Sequence, residues 1–170
     1  MPHYLRKEGY NTSFYHGGAN GTMGFNGFVG VAGIENYFGL NEYPAKEKDY
    51  DGLWGIFDVP YLQYFAQELN AKTQPFFSTV FTVSSHHPYT MPKPFEGKFP
   101  KGKLPLHETV GYTDYALQQF FNTAKNMPWF NNTLFVFTAD HSALSTNKIY
   151  KTRLGRYAVP FFIYEPTGQL

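Results

Sequence analysis

Two adjacent side chains set the chemistry this chain can attempt: Asp140 and His141, in the run Thr138-Ala139-Asp140-His141-Ser142. A carboxylate beside an imidazole offers one hard oxygen and one nitrogen, a usable pair of ligands for a divalent metal. Two further histidines stand in comparable places. His16 follows Thr12 to Tyr15, and His86 follows Pro75 to Val83 in the segment Ser84-Ser85-His86-His87-Pro88. Such groups can donate hydrogen bonds to an anion or carry a proton to a leaving oxygen. The plain alternative at Asp140 is a strand that ends in a polar turn, its carboxylate capping the next segment.

Each of these groups needs an element to carry it. Leu134 to Thr138 is apolar and β-favouring, which predicts a strand buried on both faces and ending at Asp140. Thr12 to Tyr15 and Pro75 to Val83 predict two more strands. Ala158 to Tyr164 predicts a fourth, with Pro160 implying an edge position or an irregular start. Between them, Asp58 as cap and Pro60 in the first turn open a helix near 59–71, with Leu62, Phe65, Ala66 and Leu69 on one face. A second helix near 109–126 carries Val110, Leu117, Phe120, Phe121 and Ala124 as its stripe. Met127-Pro128-Trp129 stops it. Gly17 to Gly33 reads as a loop plus a short helix, and 88–107, with five prolines, as an extended loop.

Strands alternating with helices predict an α/β fold, a mostly parallel sheet flanked by helices. Ligands gather beyond the carboxyl ends of strands in such sheets. The strands ending near His16, Ser85 and Asp140 are therefore expected in one sheet, with His16, His86, Asp140 and His141 converging on one small polar pocket.

Composition narrows the class. With 170 residues, 42% hydrophobic and 20% aromatic, the chain is long and apolar enough for one domain with a real core. A net charge of +1 gives no electrostatic reason to expect nucleic acid or an anionic membrane surface. The absence of cysteine excludes disulfides, thiolate metal sites and a Cys nucleophile. No apolar run approaches the roughly 20 residues of a membrane span.

Taken together, Phe14-Tyr15-His16-Gly17, Ser84-Ser85-His86-His87-Pro88, the Tyr112-Thr113-Asp114 helix and Thr138-Ala139-Asp140-His141-Ser142 resemble a known family. They look like the C-terminal part of a sulfatase-like catalytic domain of the alkaline phosphatase superfamily, in the branch of lipoteichoic acid synthases and phosphoglycerol transferases. Leu154-Gly155-Arg156-Tyr157 and Val159 to Tyr164 suit that branch as well. The resemblance implies an alkaline phosphatase-like partial domain over residues 1–170, completed by an upstream half of the same domain. It implies that Asp140 and His141 bind metal and that His16 and His86 are catalytic, lining the pocket around a transferred phosphate or sulfate. Mn²⁺, Mg²⁺ or Ca²⁺ suits the oxygen-rich shell better than Zn²⁺. The implied partner is an anionic ester substrate, and the implied parent is membrane-anchored with this domain outside the cytoplasm.

Departures from the family pattern are informative. The family's nucleophile, a threonine or a formylglycine made from Cys or Ser, lies upstream of the part this chain resembles, as does a further acidic metal ligand. No Cys-x-Pro-x-Arg or Ser-x-Pro-x-Arg motif is present, so this chain supplies no nucleophile. Lipoteichoic acid synthases also place a Trp and an Arg after the first-strand histidine, where this chain has Met23-Gly24-Phe25. Arg156 remains as a substrate-binding cation or a structural ion-pair partner. The expected function is metal-dependent hydrolysis or transfer of a sulfate or phosphate ester by the intact parent. A non-catalytic anion-binding module is the alternative.

Overall fold

The architecture, taken from a computed structural model that describes residues 1–169, is built around one strand. β1 (Asn11–His16) is the centre of a three-stranded parallel sheet, flanked by β2 (Asn36–Phe38) and β3 (Phe76–Phe81). The register sets Thr12 opposite Phe77 and His16 opposite Phe81 on one side, and Tyr15 opposite Phe38 on the other. Five of the six β1 residues are buried, polar Thr12 and Ser13 among them. Their hydroxyls are spent locally. Ser13 Oγ lies 2.7 Å from Ser78 Oγ, and Thr12 Oγ1 accepts from the Glu35 N–H.

Parallel neighbours require crossovers. α1 (Pro2–Lys7) precedes β1, and α2 (Phe25–Ala32) links β1 to β2. α3 (Lys46–Asp49) and α4 (Asp58–Ala71) lead to β3. α5 (Leu106–Ala124) then lies against α4. The expected face of α4 is the one buried: Leu62, Phe65, Ala66 and Leu69 join Ala116, Phe120 and Ala124 of α5 in the core. Phe65 stacks on Phe120 at 5.8 Å and meets Tyr15 of β1 edge-on at 4.8 Å. A fully buried large side chain contributes about 1.5–3 kcal/mol. Helix propensities differ by at most about 0.7 kcal/mol per residue among ordinary residues, so burial decides where these helices sit.

β4 (Phe135–Thr138) and β5 (Phe161–Tyr164) depart from expectation. They pair antiparallel in a sheet of their own, so the strand ending at Asp140 does not join the sheet of β1 and β3. The chain between them holds only 3-10 turns, at Ile149–Lys151 and Gly155–Tyr157. Without a crossover helix the return is antiparallel. Nor is β4 buried on both faces. Phe135 packs inward near Phe121, Trp129 and Phe130, whereas Val136 is 54% exposed because no described element covers that face.

Two smaller corrections concern helices. Asp58 does not cap α4 with its side chain, because its carboxylate bonds the backbone beyond β3 instead. Val110 is exposed, and the buried stripe of α5 runs through Thr109, Tyr112, Ala116, Phe120 and Ala124. The proline-rich loop is extended, as its composition predicts, but sends Phe95 against Tyr112 and Tyr115.

Candidate active site

His16 is the last residue of β1, at the carboxyl end of a parallel strand. It is 2% exposed, with Phe25 and Phe81 edge-on at 5.1 and 5.5 Å. Burial pushes its imidazole below the ordinary value of 6.5, offset only in part by the Phe81 backbone. The ring is therefore neutral at pH 7, holding one N–H and one lone pair. Neither nitrogen makes a well-formed hydrogen bond, the approach of the Phe81 backbone falling short of one. An unpaired buried polar group costs about 1–3 kcal/mol, so each calls for an explanation, and at a strand's carboxyl end a ligand is one. Gly18 keeps Nε2 clear: a Cβ there would stand 2.7 Å from it and 2.8 Å from the Trp54 carbonyl.

His86 lies on the exposed turn after β3. Its Nδ1 is 2.8 Å from the His87 carbonyl. A carbonyl only accepts, so Nδ1 carries the hydrogen and Nε2 is left with the lone pair. His87 itself is exposed, its ring edge-on to Tyr89, as a loop histidine should be.

One segment ties both histidines together. Gly18 bridges Gly55, and the Ile56 N–H donates to the Gly17 carbonyl at 3.1 Å. A Cβ on Gly55 would come within 2.5 Å of the Gly17 backbone, so this crossing needs glycine. Further on, the Asp58 carboxylate accepts from the Val83 and Ser84 N–H groups and the Thr113 hydroxyl. Ser84 Oγ in turn accepts from the Asp58 N–H. Burial raises the Asp58 carboxyl above its usual range, against the pull of those donors. The turn leading to His86 is thus clamped to the start of α4. Sequence reasoning missed this role of Asp58, and missed Trp54. The available signal was Asp51-Gly52-Leu53-Trp54-Gly55, a turn composition carrying a large indole.

Asp140 and His141 stand beyond β4. His141 Nε2 lies 3.3 Å from Asp140 Oδ2, and Asp140 Oδ1 accepts from the His141 N–H. Arg156 supports this turn through its backbone: its carbonyl accepts from both the N–H and the hydroxyl of Ser142. A shallow cavity of about 460 Å³ beside it is lined by Leu144, Tyr150, Lys151 and Arg156, and by none of the four expected site residues. Among the described residues, no three His, Asp or Glu side chains gather closely enough to hold a metal. The pair fits a divalent ion as two ligands, a carboxylate oxygen and an imidazole nitrogen. Oxygen-loving ions take about six.

The Sulfatase family model matches residues 1–170. Lipoteichoic acid synthase 2 of Bacillus subtilis is 25% identical over 153 residues, covering 86% of this chain and 23% of that protein. Phosphoglycerol transferase I of Citrobacter koseri is 27% identical over 154 residues, covering 83% of this chain and 20% of its own length. A solved alkaline phosphatase superfamily protein from Vibrio parahaemolyticus superposes with a TM-score of 0.79 at 26% identity, over 96% of this chain and 40% of that one. This chain thus spans about a quarter or less of those curated relatives. With that model matched over the whole chain and an α/β fold that agrees with it, the chain belongs to the sulfatase family.

Proposed function

We propose that this chain is the C-terminal portion of a catalytic domain that transfers or hydrolyses a phosphate or sulfate ester. The observation that carries the reading is His16: a neutral, buried imidazole with both nitrogens unpaired, at the carboxyl end of the central parallel strand. Relatives that are lipoteichoic acid synthases and phosphoglycerol transferases support the reaction class.

The roles follow from the groups. His16 donates its one N–H to an oxygen of the ester, in an environment where such a bond is strong because water is excluded. His86, with Nδ1–H committed to the His87 carbonyl, accepts at Nε2 when neutral and donates there when protonated, which suits it to carry the proton of a leaving alkoxide. Asp140 and His141 hold a divalent ion as two of its ligands. Superfamily members depend on such ions in general, and the chemistry supplied is charge neutralisation on the ester and a lowered nucleophile pKa. Mn²⁺, Mg²⁺ or Ca²⁺ suits this pair. Arg156 supports the Ser142 turn by its carbonyl, and its exposed side chain lines the shallow cavity and offers a guanidinium to an anionic substrate. The nucleophile and the remaining metal ligands come from the upstream half of the domain.

The same half covers the apolar surface of the second sheet, where Phe161, Phe162 and Ile163 are 67%, 54% and 51% exposed. No described helix is long and apolar enough to cross a membrane. An anchor and an extracytoplasmic location belong to the parent. The test is turnover of aryl phosphate and aryl sulfate esters by protein extended upstream. We expect His16→Ala and His86→Ala each to lower kcat by about 10²–10⁴-fold. Unchanged rates in both variants would overturn the reading.

A further inference from the structure

Trp54 is large, half-buried and outside the core cluster, so packing alone does not explain it. Its indole N–H donates to the His87 carbonyl at 2.6 Å. That is the same oxygen that engages His86 Nδ1 at 2.8 Å. A carbonyl has two lone pairs and serves both donors. The indole also meets the His86 imidazole directly, ring centroids 4.3 Å apart at 60°.

The loop carrying Trp54 is itself held. Asp51 Oδ1 accepts from the N–H groups of Leu53, Trp54 and Gly55 at 2.8, 2.8 and 3.0 Å. The bridge from Tyr50 to Ile56 closes the loop on itself, and that from Gly55 to Gly18 ties it to the chain just past β1. The other end of the His86 turn is clamped by Asp58 through Val83 and Ser84. The exposed His87 carbonyl, followed by a proline that has no N–H, receives its outside support from Trp54.

We propose that Trp54 is a positioning residue for His86, orienting the His87 carbonyl so that the imidazole is held as its Nδ1–H tautomer with Nε2 as the working nitrogen. The proposal rests on the reading of His86 as a proton carrier. A misassigned tautomer would put the hydrogen on the working nitrogen and leave the ring free to turn. This is the indirect support that fixes a histidine's nitrogen roles elsewhere.

The test reads the tautomer, which a merely structural residue would not move. Two-bond ¹H–¹⁵N correlation spectra of the full chain, recorded well above the histidine titration range, report both ring nitrogens of each histidine. In the unaltered chain His86 is expected as the Nδ1–H form. Trp54→Phe keeps a ring against the imidazole but removes the donor, and should move His86 to a mixture rich in Nε2–H while His16 signals stay in place. Trp54→Ala should do so more fully. In protein extended upstream, Trp54→Phe should lower kcat about tenfold with KM within about twofold, an effect of misplacement rather than of lost binding. His86 remaining Nδ1–H in Trp54→Phe, with His16 signals unchanged, would overturn the proposal. A tautomer change in protein that turns over no ester at all would leave the positioning role standing and overturn the transfer reading instead.

Discussion

The two sheets of this chain handle burial in opposite ways. Around β1 the carboxyl-end histidine is sealed by Phe25 and Phe81, and its neighbours are cross-linked by backbone bonds and the Asp58 carboxylate. Around β4 and β5 the strands alternate or lie open, and Asp140 and His141 touch mainly each other. One region holds its residues through several contacts from other elements of the chain. The other carries two candidate metal ligands and an apolar face that no described element covers. The contrast teaches that motifs pointing to one family can sit in regions with very different amounts of internal support.

The joint between the regions is the place where a change should do most. Trp129 is 1% exposed and packs near Phe76 of β3, Phe120 of α5 and Phe135 of β4. We expect Trp129→Ala to cost about 3–5 kcal/mol, read as a fall in the denaturant midpoint that affects probes in both regions together. Loss confined to the β4–β5 region would show that the two are not joined there.

A smaller effect should separate them. Asp58→Ala strands the Val83 and Ser84 N–H groups and the Thr113 hydroxyl in the interior. At about 1–3 kcal/mol for an orphaned buried group, with partial relaxation, a loss of about 3 kcal/mol is expected. Asp58→Asn, which keeps an acceptor for the two N–H groups, should lose less. Hydrogen exchange should quicken at residues 83–87 before it does in β4. Equal stability of both variants would contradict the clamp.

Acid should act on the first region through His16. Its folded-state pKa lies below the ordinary 6.5, so the unfolded chain binds the proton more strongly and stability rises with pH across that interval. The contribution is intact above about 6.5 and is lost as pH falls from there towards the folded value. His16→Gln should flatten that part of a stability-against-pH curve. The same slope in both proteins would show that His16 is not the group responsible.

These contrasts also explain what could be read from the sequence. α4 was legible because its apolar positions repeat at the helical period and face one core, and β1 and β3 because runs of β-favouring residues lead up to their histidines. β4 misled for a physical reason: Leu134, Val136 and Phe137 carry the composition of a doubly buried strand, yet one face is bare here. Its apolar character reads as burial, but no described element lies against that face. Trp54 and Asp58 were hidden differently. Their partners, His87 and Val83, lie 33 and 25 residues away, and no local period encodes such a contact.

The smallest expected effect on folding is at Asp140. It is exposed and among the described residues bonds only its neighbour, so Asp140→Ala should change stability by no more than about 0.5 kcal/mol.

That near-neutrality makes the metal pair the cleanest place to test the central claim, that this chain holds part of a divalent-metal ester-transfer site completed from upstream. The measurement is calorimetric titration with Mn²⁺ of this chain, of protein extended upstream, and of Asp140→Ala in each, with ester turnover followed in parallel. We expect weak binding and no turnover for the chain alone. The extended protein should bind stoichiometrically and turn over, and should lose both in Asp140→Ala. Tight, stoichiometric binding and turnover by the chain alone, abolished in Asp140→Ala, would contradict the account.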